Sequence, residues 1–136
     1  QYESVIVLET PEIKYDQWRK KKEGYTYCSS RKTTRAIRAF SGRKVVVLTP
    51  ANLLAEYHRK QNPGLMAMTY HKYFHLEATP IDEWDPAFLG KKALAEILIF
   101  DEAYMISKKV LQRLLSYAES RGCQNIICGD PGQLTP

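Results

Sequence analysis

Four short runs of consecutive apolar residues constrain this 136-residue chain more than any other feature. They are residues 5–8 (VIVL), 45–48 (VVVL), 97–100 (ILIF) and 126–128 (IIC). Each is short, β-branched and apolar at every position rather than at every second one. That is the pattern of a strand covered on both faces. Residues 65–70 (LMAMTY) form a weaker fifth candidate. Between the runs, residues 33–40, 51–60 and 103–121 carry helical spacing. In the last of these, Ile106, Val110, Leu114, Leu115 and Ala118 form an apolar stripe at three- and four-residue steps, and Gly122 stands where a C-terminal cap belongs. Strand–helix alternation predicts an α/β fold with an open, largely parallel sheet and flanking helices.

Composition supports one core. Hydrophobic residues make up 44% and charged residues 26%, the balance of an ordinary globular domain. No apolar run reaches the length of a membrane helix, so no membrane partner is expected. The first residues lack a basic stretch followed by an apolar one, so no signal peptide is visible, and they lack a Met, so the segment is expected to begin inside a longer chain. Three scattered cysteines, Cys28, Cys123 and Cys128, predict reduced thiols in an intracellular protein, with nucleus and cytoplasm not distinguished. The net charge of +5 is uneven: residues 1–60 hold 13 Lys/Arg against 6 Asp/Glu, and residues 61–136 hold 7 against 9. A basic half suits a polyanion near one edge, although solvated surface charge explains the same numbers. The cluster at residues 19–22 (RKKK) reads as a solvated loop or helix end.

The chemistry gathers immediately after the strands. Behind VVVL stands Thr49-Pro50, behind ILIF stands Asp101-Glu102, and behind IIC stands the segment 129–134 (GDPGQL). In a parallel sheet these ends share one edge, where open α/β sheets bind ligands. Two adjacent carboxylates behind a buried strand need something to neutralise them, and Mg²⁺ suits oxygen ligands. The first carboxylate can hold the metal or its water, and the second can orient and deprotonate an attacking water. An acidic first helical turn is the plainer alternative.

Residues 97–103 (ILIFDEA) and 128–134 (CGDPGQL) together resemble motifs II and III of superfamily-one helicases, closest to the RecD-like branch and its viral and fungal relatives. Residues 45–55 (VVVLTPANLLA) resemble motif Ia, residues 68–74 (MTYHKYF) the Thr-x-His segment, and residues 32–37 (KTTRAI) the end of a Walker A motif with the helix it opens. The resemblance spans roughly residues 26–136. It implies a partial RecA-like, P-loop NTPase-type domain over 25–136, the first of the family's two, preceded by an N-terminal extension over 1–24. It implies ATP and Mg²⁺ as cofactors and single-stranded DNA as partner, with RNA open.

Position by position, the resemblance puts Ser30, Arg31, Lys32, Thr33 and Thr34 at the phosphates, with Lys32 on the β- and γ-phosphates. Thr33 and Asp101 would hold Mg²⁺, and Glu102 would activate water. Gln133, with Asp130 beside it, would sense the γ-phosphate. Thr49, Pro50, Thr69 and His71 would contact nucleic acid.

The pattern breaks in two places. A Walker A loop reads G-x-x-x-x-G-K-[ST], so that backbone N–H groups can wrap phosphate. Here the two glycine positions hold Thr26 and Arg31, and residues 26–31 contain no glycine. The family's second RecA-like domain is not found within residues 1–136, and is expected in the same longer chain or absent. A degenerate, non-catalytic module keeping a nucleic-acid or protein-binding surface is therefore the alternative, and a plain nucleotide switch a third. As a member of an ATP-dependent helicase family the chain alone is expected to be inactive.

Other constellations are weaker. His71 and His75 stand four apart, but zinc sites bring four ligands in tighter pairs. No Gly-x-Ser-x-Gly elbow exists, and Cys28 has no basic partner beyond Arg31. Tyr70, Tyr73 and Phe74 beside Lys72 offer either base-stacking rings or core packing. Trp84 reads as a loop anchor.

Overall fold

The computed structural model describes residues 5–7, 30–40, 42–76, 80–89 and 95–128. In chain order these form β1 (Val5–Val7), α1 (Ser30–Ala39), β2 (Val45–Thr49), α2 (Asn52–Gln61), β3 (Met66–Thr69), α3 (Tyr70–Phe74), β4 (Ile97–Phe100), α4 (Lys108–Ser120) and β5 (Gln124–Ile127). Single 3₁₀ turns occupy Ile81–Glu83, Pro86–Leu89 and Ala103–Met105. The five strands form one parallel sheet in the order β1-β5-β4-β2-β3. The α/β architecture expected from the alternating runs is the one observed.

Both faces of the sheet are covered, which is why its strands are apolar at consecutive positions. Val47, Ile97, Ile99 and Ile126 pack with Ala36 and Ile37 of α1 and Ala55 of α2. On the opposite face Leu48, Leu98, Phe100 and Ile127 pack with Phe74 of α3 and Leu114 of α4. Trp84 anchors the loop on that second face. It is 1% exposed, and its indole N–H donates to the Phe74 carbonyl at 2.8 Å. Tyr70 and Phe74 are buried beside Phe100, and Tyr73 is half-buried with its hydroxyl accepting from Ala95 N. The rings at 70, 73 and 74 thus serve packing rather than base stacking.

Three expectations need correction. Residues 1–24 do not lie wholly outside the domain, because Val5 pairs opposite Asn125 and Val7 opposite Ile127. The helix expected over 103–121 is broken near its start. Glu102 takes a left-handed backbone (φ 50), a 3₁₀ turn comes next, and α4 begins only after Ser107, whose hydroxyl accepts from Val110 N at 3.3 Å. At its far end Gly122 (φ 82) closes the helix as expected, with Cys123 N donating to Ala118 O. Finally, Cys128 is disulfide-bonded rather than reduced, since three scattered cysteines give no spacing signal for a pair. Cys123 keeps a free, buried thiol, which burial holds above its ordinary pKa. No helix among the described residues is long and apolar enough to cross a membrane.

Candidate functional site

The strand order fixes where a site can form. From β2 the chain crosses over α2 to β3 on one side, and from β4 it crosses over α4 to β5 on the other. The direction therefore reverses between β2 and β4, and the crevice at the carboxyl ends of those two strands is where such sheets bind ligands. Leu48 and Phe100 are register partners, so the next residues, Thr49 and Asp101, end the two strands side by side.

Asp101 is the centre of this crevice. Its backbone N–H donates to Leu48 O at 2.8 Å, and its side chain is 1% exposed. Oδ1 accepts from the Thr33 hydroxyl at 2.8 Å and from Glu102 N at 2.9 Å. Oδ2 accepts from His58 Nε2 at 2.6 Å. The Tyr70 hydroxyl donates to the Asp101 carbonyl. Burial holds the Tyr70 phenol well above its ordinary pKa, and the negative charges of Asp101 and Glu102 add to that effect. A buried carboxylate with three donors is thus satisfied without a cation in direct contact.

Glu102 stands beside it, half-buried, at φ 50 and ψ 44. A non-glycine residue in this region costs about 1–3 kcal/mol and persists only where neighbours impose it. Here Glu102 N is tied to Asp101 Oδ1, and Ala103 N, one residue on, donates to Cys128 O at 3.0 Å. The turn is therefore bolted to the end of β5.

The first turn of α1 brings Thr33 to the same point, buried against Asp101. Thr34 is half-buried on that helix. Of Ser30, Arg31 and Lys32 the structure describes the helical backbone alone, and Asp130 and Gln133 lie outside the described residues. The strands are parallel, so β1 ends at the edge where α1 begins, and residues 8–29 join the two. β1 is thus the described strand that precedes α1 in the chain. The Thr33 and Asp101 oxygens fit Mg²⁺, which takes one or two protein oxygens and keeps several waters. Among the described residues no group of three or more His, Cys, Asp or Glu side chains could hold a metal ion. His71 lies within α3, while His75 stands just beyond it in a left-handed cap, so the pair shares no helix face.

Beside the crevice, Pro50, Thr69 and His71 of the four residues expected at nucleic acid line two adjoining hollows that share Pro50 and His71. One, about 660 Å³, is bordered by Ala51, Asn52, Thr69 and the exposed Lys72. The other, about 370 Å³, is more apolar and runs on to Leu76, Met105 and Val110. Thr49 is buried and its hydroxyl donates to Ala51 O at 2.9 Å, so it shapes the turn rather than facing the hollow. Thr69 caps α3 by accepting from Lys72 N. Pro50, His71 and Lys72 are left as the groove's outward groups. Sequence alone does not bring His58 or the Tyr70 hydroxyl to the Asp101 carboxylate. The one signal for His58 is its position three residues after Ala55, on the inward side of α2.

A parallel sheet whose reversal point joins a threonine from the first helix to a strand-end Asp-Glu pair defines an AAA-type P-loop nucleotide-binding domain, partial and RecA-like. Residues 29–136 match the family model described as AAA domain, and the chain belongs to that family. No curated protein and no solved structure gives a significant match to it.

Proposed function

We propose that this chain is the first motor domain of a superfamily-one, RecD-like DNA helicase, binding ATP with Mg²⁺ in the Asp101 crevice and single-stranded DNA along the Pro50 groove. The observation that carries the reading is the meeting of Thr33 with Asp101 at the same sheet edge as that groove. Bound ATP–Mg²⁺ would supply the phosphoryl group and the charge that organises it. Thr33 would offer its hydroxyl oxygen to the metal, and Asp101 would hold the metal's water shell. Lys32 would neutralise the phosphates. Glu102 would orient the attacking water and take its proton, and Asp130 and Gln133 would register the γ-phosphate. His71 and Lys72 would meet the DNA backbone, with RNA the other candidate strand. Movement along DNA also requires a second domain that closes on the nucleotide.

The glycine-free segment before Lys32 favours a second reading, a helicase-like module that binds without hydrolysing. Two measurements test the pair. Anisotropy of a labelled oligo-dT should show binding that weakens with salt, with a log–log slope of about −0.7 per phosphate contacted. Lys72→Glu should flatten that slope by about one contact. Binding that ignores salt and the substitution sinks both DNA-based readings. Mg²⁺-dependent binding of a fluorescent ATP analogue, lost in Asp101→Asn, tests the crevice separately.

A further inference from the structure

We infer that His58 is a positioning residue linking the Pro50 groove to the metal-site carboxylate. The inference rests on the nucleotide reading of the crevice. His58 is 2% exposed, and it and Ala55 are the buried residues of α2. Packing alone does not call for an imidazole there, since an apolar side chain fills such a site without desolvating nitrogen. Its Nε2 donates to Asp101 Oδ2 at 2.6 Å, while Nδ1 has no hydrogen-bond partner among the described residues. The ring's polar function is therefore committed to one atom.

That atom decides the geometry of the carboxylate. A carboxylate oxygen accepts about two hydrogen bonds. Oδ1 already takes Thr33 Oγ1 and Glu102 N. Oδ2 takes His58 and keeps one lone pair, the one left for a metal's water. Without His58 the carboxylate is held through Oδ1 alone and can swing about it. Partners of this kind, one step removed from a metal, change metal affinity by about 10- to 100-fold.

The same histidine belongs to the helix that walls the groove. Ala51 and Asn52, at the start of α2, border the hollow with Pro50, His71 and Lys72. His58 lies further along this one rigid helix, so a strand that displaces the start of α2 displaces Nε2 relative to Oδ2. The groove, α2, His58 and Asp101 form a continuous physical chain, and coupling through it must be reciprocal.

The test measures Mn²⁺·ATP affinity by the spin resonance of bound Mn²⁺, with and without saturating oligo-dT, in the unaltered chain, H58L and H58Q. Gln reaches Oδ2 with a terminal N–H, and Leu does not. In the unaltered chain oligo-dT should change Mn²⁺·ATP affinity by at least about fivefold. H58L should lower the basal affinity about tenfold and abolish the oligo-dT effect, and H58Q should restore both. If H58L does not fold by thermal melt, H58N replaces it, because its amide is too short to reach Oδ2. Equal affinity and equal coupling in all variants overturns the inference while leaving the nucleotide reading intact, as does equal loss in H58L and H58Q. No Mn²⁺·ATP binding by the unaltered chain removes the nucleotide reading itself, and the inference with it.

Discussion

The Thr33 hydroxyl and the Asp101 carboxylate, 68 positions apart in the chain, meet at 2.8 Å in a buried hydrogen bond. This contact joins the first turn of α1 to the end of β4, so it ties together the two elements that any phosphate–metal site here must use. Removing it should be felt in stability even without ligand. Thr33→Val should destabilise the chain by about 1–2 kcal/mol, because a buried acceptor loses a donor with no water to replace it. Thr33→Ser should recover most of that loss. Urea denaturation of the three chains measures it, and a Val variant as stable as the unaltered chain would contradict the assigned bond.

Tyr70 gives a pH prediction. Its phenol is held well above the ordinary value of 10.0 by burial first, then by Asp101 and Glu102. Above pH 10 the unfolded chain releases this proton while the folded chain keeps it, so the folded state binds more protons and stability falls as pH rises. The contribution is complete below the unfolded value and is lost as pH climbs through the folded one. Tyr70→Phe should cost about 1 kcal/mol at neutral pH, by stripping the Asp101 carbonyl of its donor. That gap should shrink above pH 10. Thermal melts of both proteins across pH 7 to 11 decide it; no gap at neutral pH removes the hydrogen bond from the account, and a gap that is constant with pH removes the raised phenol pKa.

Ser107 tests where α4 begins. Its hydroxyl accepts from Val110 N, with the residue extended at φ −61 and ψ 148. Ser107→Ala should lower stability by about 1 kcal/mol, and Ser107→Asp should keep or improve it. If the helix instead ran unbroken from residue 103, position 107 would be a helix interior and Ala, the better helix former, would stabilise. The sign of the change in a denaturant melt separates the two.

That sign also marks where the sequence was legible. The strands were readable because both faces of the sheet are covered, which writes burial as consecutive apolar residues. Parallel pairing then puts the ends of β2 and β4 side by side. The start of α4 was hidden, since the apolar stripe carries on through Ile106 and Val110 while the break comes from the backbone at Glu102. Helix α2 was harder still, because it reverses the usual rule: Leu53 is 80% exposed and His58 is 2% exposed. Hydropathy cannot anticipate a charge that draws an imidazole inward. Nor could composition show that Val5–Val7 pairs with β5, at the other end of the chain.

The connection from β1 to α1 yields the last prediction. In a P-loop domain the strand that feeds the first helix does so through a short glycine-rich loop, whose bare N–H groups approach phosphate. Here residues 8–29 make that connection, Gly24 is the one glycine between β1 and Lys32, and Arg31 holds the position just before the lysine. In the sequence, every residue from 25 to 32 therefore carries a Cβ atom where the motif has bare backbone. The hydrogen bond between Asp101 and Thr33, the metal side of the proposed site, is nonetheless in place, whereas the sequence before Lys32 lacks the glycines of a phosphate cradle. ATP turnover by this chain with oligo-dT should therefore equal that of Glu102→Gln, both at background. Replacing residues 9–31 by Gly-x-x-x-x-Gly, so that it runs into Lys32-Thr33, should tighten Mg²⁺·ATP binding by about tenfold or more, through backbone N–H groups newly able to reach the phosphates. Calorimetric titration reads that change in affinity. Turnover in the unaltered chain that Glu102→Gln abolishes would mean that this long connection cradles phosphate without glycines. Unchanged affinity in the grafted chain would mean that the metal side, not the loop, limits binding.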